Sequence, residues 1–122
     1  MYKIQKTFEI CGSHNLRLNY ESPCQRLHGH NWKITVYMRA KYLDDNGMVF
    51  DFTHIKKRIH DVFDHQNLND LVQFNPTAEN LAAYCASLLN VDHTVCDIER
   101  ELRCYRVDIE ETPNNIATWE EN

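Results

Sequence analysis

The sequence predicts an α+β fold: a four-stranded antiparallel sheet with two helices on one face, in the chain order ββααββ. Three patterns lead there. Tyr2 to Ile10 and Asn31 to Leu43 alternate in polarity with the period of half-buried strands. Leu81, Tyr84, Cys85, Leu88 and Leu89 recur with the period of a helix buried along one side. Arg103 to Glu111 then returns to alternation, so strands flank a helical middle.

In the first strand, Tyr2, Ile4 and Lys6 oppose Lys3, Gln5 and Thr7, and the segment delivers Phe8 and Ile10 to the core with His14 just beyond. Asn15 to Pro23 is polar and carries the turn formers Asn19, Ser22 and Pro23, which reads as a loop returning Cys24 toward His14. The second strand sets Trp32, Ile34, Val36 and Met38 against Lys33, Thr35, Tyr37 and Arg39. Asp44-Asp45-Asn46-Gly47 is a turn closing a hairpin-like unit before Met48 to Asp51. A helix over Thr53 to Phe63, capped by Asp51 or Thr53, buries Ile55, Ile59, Val62 and Phe63 and leaves His54 and His60 on its solvated side. Asp64 to Asp70 reads as a polar loop. Thr77 caps the second helix, with Pro76 outside it. A short helix is expected at Val95 to Glu101. The third strand places Tyr105, Val107, Ile109 and Glu111 on one side, and Pro113-Asn114-Asn115 turns into a last strand over Ile116 to Trp119.

The 122 residues fit one domain, 1–122. A net charge of −5 and the lack of a basic cluster longer than Lys56-Lys57-Arg58 argue against nucleic acid as a partner. No apolar run is long enough for a membrane span and no signal-peptide pattern opens the chain, so the expected location is the cytoplasm. The five cysteines include no Cys-x-x-Cys pair, which fits a reducing compartment. Cys11, Cys85, Cys96 and Cys104 read as small core hydrophobes.

The chemistry concentrates at Cys24-Gln25-Arg26-Leu27-His28-Gly29-His30. Residues i and i+2 of a strand project from one face, so His28 and His30 can share a metal. Gly29 between them leaves room for a bend or a close approach. His14 completes a set of three imidazoles, the ligand count of a catalytic zinc with one open position. Cys24 has two readings: a reactive thiol beside that metal, or a fourth ligand closing a structural zinc in a non-catalytic, zinc-stabilised binding domain. Asp64 directly before His65 can raise imidazole basicity for proton transfer. Glu111 ends an inward-facing row, where a carboxylate can serve as an anchor.

Taken together, Phe8 and His14, Cys24 with His28-Gly29-His30-Asn31, Asp51-Phe52, Asp64-His65 with Leu68-Asn69, Asn75-Pro76-Thr77 with Glu79-Asn80, and Glu111-Thr112-Pro113 resemble the 6-pyruvoyl-tetrahydropterin synthase superfamily. The three residues between Cys24 and His28 resemble its 6-carboxy-5,6,7,8-tetrahydropterin synthase branch, of the queuosine (7-deazaguanine) pathway. The resemblance implies a T-fold whose subunits join sheets into a trimer-based homo-hexamer with active sites between subunits. It implies Zn2+ on His14, His28 and His30, Cys24 as catalytic thiol, and Asp64 with His65 from a neighbouring subunit completing a proton relay. Glu111 would anchor the 2-amino-pyrimidinone edge of a pterin triphosphate, with Thr77 and Thr112 as lesser contacts. The alternative within the superfamily is a pyruvoyl-forming or side-chain-cleaving enzyme.

Overall fold

The computed structural model describes all 122 residues. Strand β1 (Tyr2–His14) pairs antiparallel with β2 (His28–Ala40) along its whole length, from Tyr2 opposite Ala40 to His14 opposite His28. On the other side of β2 lies β4 (Arg103–Thr112), antiparallel, and beyond it β5 (Asn115–Glu120). The helices are α1 (Phe52–Arg58), α2 (His60–Phe63), α3 (Leu68–Leu71), α4 (Ala78–Leu89) and α5 (Val95–Glu99).

The expectation of four antiparallel strands is corrected to a mixed sheet of five, ordered β3-β1-β2-β4-β5. The added strand, β3 (Gln66–Asn67), runs parallel to β1 through Gly12 and Ser13. Two polar residues have no periodicity, and only the neighbouring strand reveals them. The chain order ββααββ is corrected too, because five helical segments replace two. The helix expected over Thr53 to Phe63 is interrupted at Ile59, whose φ of −117° and ψ of −68° depart from regular helical values. The stretch read as loop from Asp64 to Asp70 holds β3 and α3, the latter capped by the Asn67 side chain on Asn69 N–H. Met48 to Asp51 forms no strand; the Asp44 carboxylate binds the N–H groups of Asn46 and Met48 and closes the turn locally.

Ile10, Trp32, Ile34, Val36, Met38, Val107 and Ile109 form the sheet's half of the core, and Ile55, Ile59, Phe63, Leu81, Cys85 and Leu89 supply the helical half. Thr77 caps α4 through Asn80 N–H, as its sequence position indicates. Thr94 and Asp97 cap α5 reciprocally, and that helix ends two residues earlier than expected. The alternation read for β4 slips at its start. Tyr37 pairs with Arg106 and Met38 with Cys104, so Tyr105 is the extra residue of a bulge and Cys104, not Tyr105, turns inward. Beyond the bulge Val107 and Ile109 keep the inward row, and Glu111 lies at a second irregularity, between Glu110 and Thr112 in the pairing with β5. Of the four cysteines read as core, Cys85 and Cys104 are buried, while Cys11 and Cys96 are exposed. Cys11 falls on the outer face because Ile10 and Gly12 take the inner one. His60 is likewise less solvated than expected, lying between Asp61 and Asp64 with its ring edge to Phe8.

Candidate metal centre and its surroundings

The antiparallel register of β1 and β2 sets His14 directly opposite His28, and His30 opposite Gly12. All three rings turn to the helix-covered face, and one ligand nitrogen from each lies within 4.8 Å of the others. The inferred grouping of His14, His28 and His30 is therefore realised within one chain. His14 has no exposed surface. Its Nδ1 is 2.8 Å from the Pro76 carbonyl, and His28 Nδ1 is 2.6 Å from the Arg26 carbonyl. A carbonyl only accepts, so each Nδ1 donates and the Nε2 of the neutral ring is left as a free lone pair. That is the arrangement of metal-binding histidines, whose second nitrogen is held by a carbonyl or carboxylate. His14 Nε2 and His30 Nε2 are buried and have no hydrogen-bond partner, so the donor set fits a metal ion. Burial pushes the pKa of His14 and His30 down, partly offset by the Glu111 charge, which keeps both rings neutral and ready to ligate at pH 7.

Trp32 fixes the floor of the cluster. Its ring lies edge-on to His14 and His30, with centroids 4.8 and 5.2 Å away, and its Nε1–H donates to the Gly12 carbonyl at 3.0 Å. The close approach expected at Gly29 occurs at Gly12 instead. A Cβ there would sit 3.4 Å from Trp32 Nε1 and 3.5 Å from Leu68, whereas at Gly29 it would meet only the Gly12 carbonyl at 3.8 Å.

Glu111 reaches this cluster from β4. Its Oε1 is 3.2 Å from His14 Nε2 and 3.6 Å from His30 Nε2. It also borders a cleft of about 450 Å³ with Ala78, Glu79, Asn114 and Asn115. Glu79, at the start of α4, is a second carboxylate there that its sequence position marked only as helix-start chemistry. Thr77 and Thr112 do not join the histidines through their hydroxyls: Thr77 accepts from Asn80 N–H, and Thr112 accepts from Asn115 Nδ2 at 2.6 Å.

Cys24 lies on a short 3-10 turn, Pro23–Gln25, and is exposed. Its carbonyl accepts from Leu16 N–H at 2.8 Å, which returns the loop to within two residues of His14. The loop is pinned by two asparagines. Asn69 gives both amide atoms to the backbone of Asn15, at 2.9 and 3.0 Å, and Asn75 does the same for Arg17, at 2.9 Å each. Each side chain thus imitates a strand neighbour. Cys24 does not belong to the histidine group.

Asp64 and His65 sit elsewhere, at the outer edge of β1. Asp64 Oδ1 accepts from Cys11 N–H at 2.8 Å, and His65 N–H donates to the Cys11 carbonyl at 2.7 Å. The Cys11 amide, followed by the charges of His65 and His60, holds the Asp64 carboxyl below its usual range, so it is anionic. His65 Nε2 is 3.6 Å from Asp64 Oδ2, its backbone has a φ of 57°, and its side chain is 80% exposed. With Cys11, Ser13, Gly29, Asn31 and Asn67 it lines a cleft of about 500 Å³.

An α+β fold with a three-histidine centre at one end of a sheet and an acid-histidine pair at its edge defines a class of metal-site enzymes. Residues 3–122 match the family model described as 6-pyruvoyl tetrahydropterin synthase, and the chain belongs to that family. It is 27% identical over 125 residues to the 6-carboxy-5,6,7,8-tetrahydropterin synthase of Bacillus subtilis, covering 97% of this chain and 84% of that one. It is 33% identical to the 6-pyruvoyl tetrahydrobiopterin synthase of Poecilia reticulata, covering 93% and 85%. The solved structure of Caenorhabditis elegans 6-pyruvoyl tetrahydropterin synthase superposes with a TM-score of 0.73 at 28% identity, over 99% of this chain and 96% of that one.

Proposed function

We propose that the protein converts 7,8-dihydroneopterin triphosphate to 6-carboxy-5,6,7,8-tetrahydropterin, releasing acetaldehyde and triphosphate, as a zinc enzyme of 7-deazaguanine biosynthesis. The observation that carries this reading is the histidine triad, with His14 and His28 held by backbone carbonyls and His14 and His30 presenting buried, unpartnered Nε2 atoms, beside a loop that carries an exposed thiol. The similarity to the Bacillus subtilis synthase supports the choice of reaction. Zn2+ held by His14, His28 and His30 would supply Lewis acidity that lowers the pKa of substrate hydroxyls.

The chain's own groups do the rest. Cys24 withdraws a proton from a side-chain carbon next to such a hydroxyl. His65, whose Nε2 lies 3.6 Å from Asp64 Oδ2, moves protons on the opposite side. Its exposure and outward set suit donation to a neighbouring subunit's site. The sheet supports that assembly, because β3 covers only Gly12 and Ser13 of β1 and β5 has no outer neighbour. Open edges of this kind are normally paired, and a head-to-tail ring built into a trimer-based hexamer pairs them. Glu111 accepts the paired N–H groups of the pterin's amino-pyrimidinone edge, with Thr77 and Thr112 beside it. The contact between Glu111 and two histidines favours a second division of labour, in which Glu79 in the same cleft takes that edge.

No helix is long and apolar enough to cross a membrane, and a small-molecule enzyme of the cytoplasm fits the composition. Product analysis tests the reaction. Zinc-loaded wild type should yield acetaldehyde and a carboxypterin, and Cys24→Ala should keep its zinc and lose turnover. Triphosphate loss without acetaldehyde would reassign the chain to the pyruvoyl-forming reaction. Loss of zinc and fold together in Cys24→Ala would support the structural-zinc reading.

A further inference from the structure

The Asp64 carboxylate stands between two imidazoles, the open ring of His65 and the sheltered ring of His60. Its Oδ1 accepts from Cys11 N–H at 2.8 Å. Its Oδ2 lies 3.6 Å from His65 Nε2 and 3.5 Å from His60 Nε2. One oxygen therefore faces a nitrogen from each ring.

His60 is placed by its own surroundings and owes nothing to His65. It precedes Asp64 by one helical turn, and Asp64 N–H donates to the His60 carbonyl at 2.9 Å, so the two side chains share a face of α2. Its Nδ1 is 2.9 Å from Asp61 Oδ1, and the ring edge meets Phe8 of β1 with centroids 5.8 Å apart. The His60 side chain is 23% exposed, whereas that of His65 is 80% exposed. Few other charges approach the ring. Asp61 and Asp64 flank it, and Lys56 of α1 comes within 3.5 Å of Asp61. Along the Phe8 side of β1 the nearest charged residue is Lys6.

The hydrogen bond from Cys11 fixes one oxygen of Asp64 and leaves the other free to swing about it. A ring packed behind Oδ2 removes that freedom and keeps the oxygen toward His65, as a supporting group must if the pair is to hold its geometry. Sharing one oxygen also couples the rings. A proton on Nε2 of either ring is drawn to Asp64, and a proton arriving on the other then meets a like charge nearby and an acceptor already in use.

We propose that His60 is a positioning residue for Asp64 and His65: it holds Asp64 Oδ2 from the helix side and competes with His65 for it, so that the three side chains bind protons as one unit. The inference rests on the proton-transfer role proposed for Asp64 and His65, while the coupling itself depends only on where the three side chains lie. During turnover this arrangement keeps Asp64 in one setting as His65 gains and loses a proton.

Nitrogen-15 NMR of the histidine rings reads the coupling without turnover. Wild type, His60→Phe and His60→Gln, with Zn2+ present, are titrated across the imidazole range. The His65 signals are identified by their loss in His65→Ala, and thermal unfolding serves as the fold control. In wild type the His65 signals should move in two steps, each mirrored by His60, which tests the coupling before any change at position 60. In His60→Phe a single step should remain, displaced to higher pH because the competing ring is gone. His60→Gln should also give one step, since an amide does not titrate. In turnover, His60→Phe should lower kcat by about tenfold with KM changed by less than about twofold, below the usual worth of a positioned acid or base itself. His60→Gln, which again offers Asp64 a donor, should recover most of that loss. A single His65 step at one midpoint in all three proteins would overturn the proposal even if kcat falls, because lost packing at α2 would then account for the fall. Coupled steps in a protein that forms no pterin product would sustain the coupled unit while removing the proposed reaction.

Discussion

His14 has no exposed surface, and its Nδ1 is held by a carbonyl of the same chain. Cys24 and His65, by contrast, are exposed and stand on a turn and at a left-handed backbone position. The difference follows from what each group must do. Metal ligands work by being fixed in advance, which takes packing and satisfied second nitrogens. In the proposed reaction the groups that move protons must meet substrate from outside, and exposed positions such as these leave room for a partner subunit to supply the missing wall. On the proposed reading the chain completes its metal end alone and leaves its proton-transfer end unfinished.

The strongest way to break this comparison is at the metal end. His28 is only half-buried, so His28→Ala should fold, yet it removes one of the three clustered imidazoles. Metal uptake should fall below detection and turnover should drop to background. Retention of stoichiometric metal would mean that the triad is not the centre.

The proton-transfer end is tested by mixing subunits. Cys24→Ala and His65→Ala should each lower turnover by about 10²–10⁴-fold, the usual worth of a positioned acid or base. If the two residues act across an interface, co-assembling the inactive variants in equal amounts restores about a quarter of the sites by random pairing in a symmetric ring. No recovery in a demonstrably mixed oligomer would place both residues in one chain's site.

A smaller effect is expected at the loop between these regions. Asn69→Ala removes two hydrogen bonds to the Asn15 backbone and should cost about 1–2 kcal/mol. Denaturant midpoints at fixed protein concentration measure it. Metal stoichiometry should be unchanged while turnover falls, because the loop positions Cys24 and not the histidines.

Much of this was legible in the residues, for definite reasons. The i, i+2 spacing of His28 and His30 is enough to put both on one face, and the alternation from Phe8 carries His14 to the same side. Val107 and Ile109 likewise turned Glu111 inward. What could not be read depends on partners distant in sequence. Pro76 looked like a helix boundary, and its carbonyl's hold on His14 exists only after 62 positions of chain have folded back. Asn69 and Asn75 gave no sign that they bind the Asn15 to Arg17 backbone. Strand β3 is defined by its neighbour, and the break at Ile59 interrupts a sequence whose apolar stripe is continuous.

The cysteines show the same division without any loss of activity to interpret. Burial raises the thiol pKa of Cys85 to about 12 and that of Cys104 to about 11, so at pH 8 both are protonated as well as shielded. In native protein, iodoacetamide at pH 8 should leave these two unmodified until the chain unfolds. Cys11, Cys24 and Cys96 are exposed in the single chain. Cys96, exposed on α5, should react at the same rate at every protein concentration. Cys11 lies in the cleft with His65, and Cys24 on the loop beside the metal end. Both should slow as concentration drives assembly, and peptide mass mapping after short labelling separates the three. Equal rates for Cys11, Cys24 and Cys96 in the assembled protein would mean that no subunit covers the proton-transfer end, and the site would then have to work open to water.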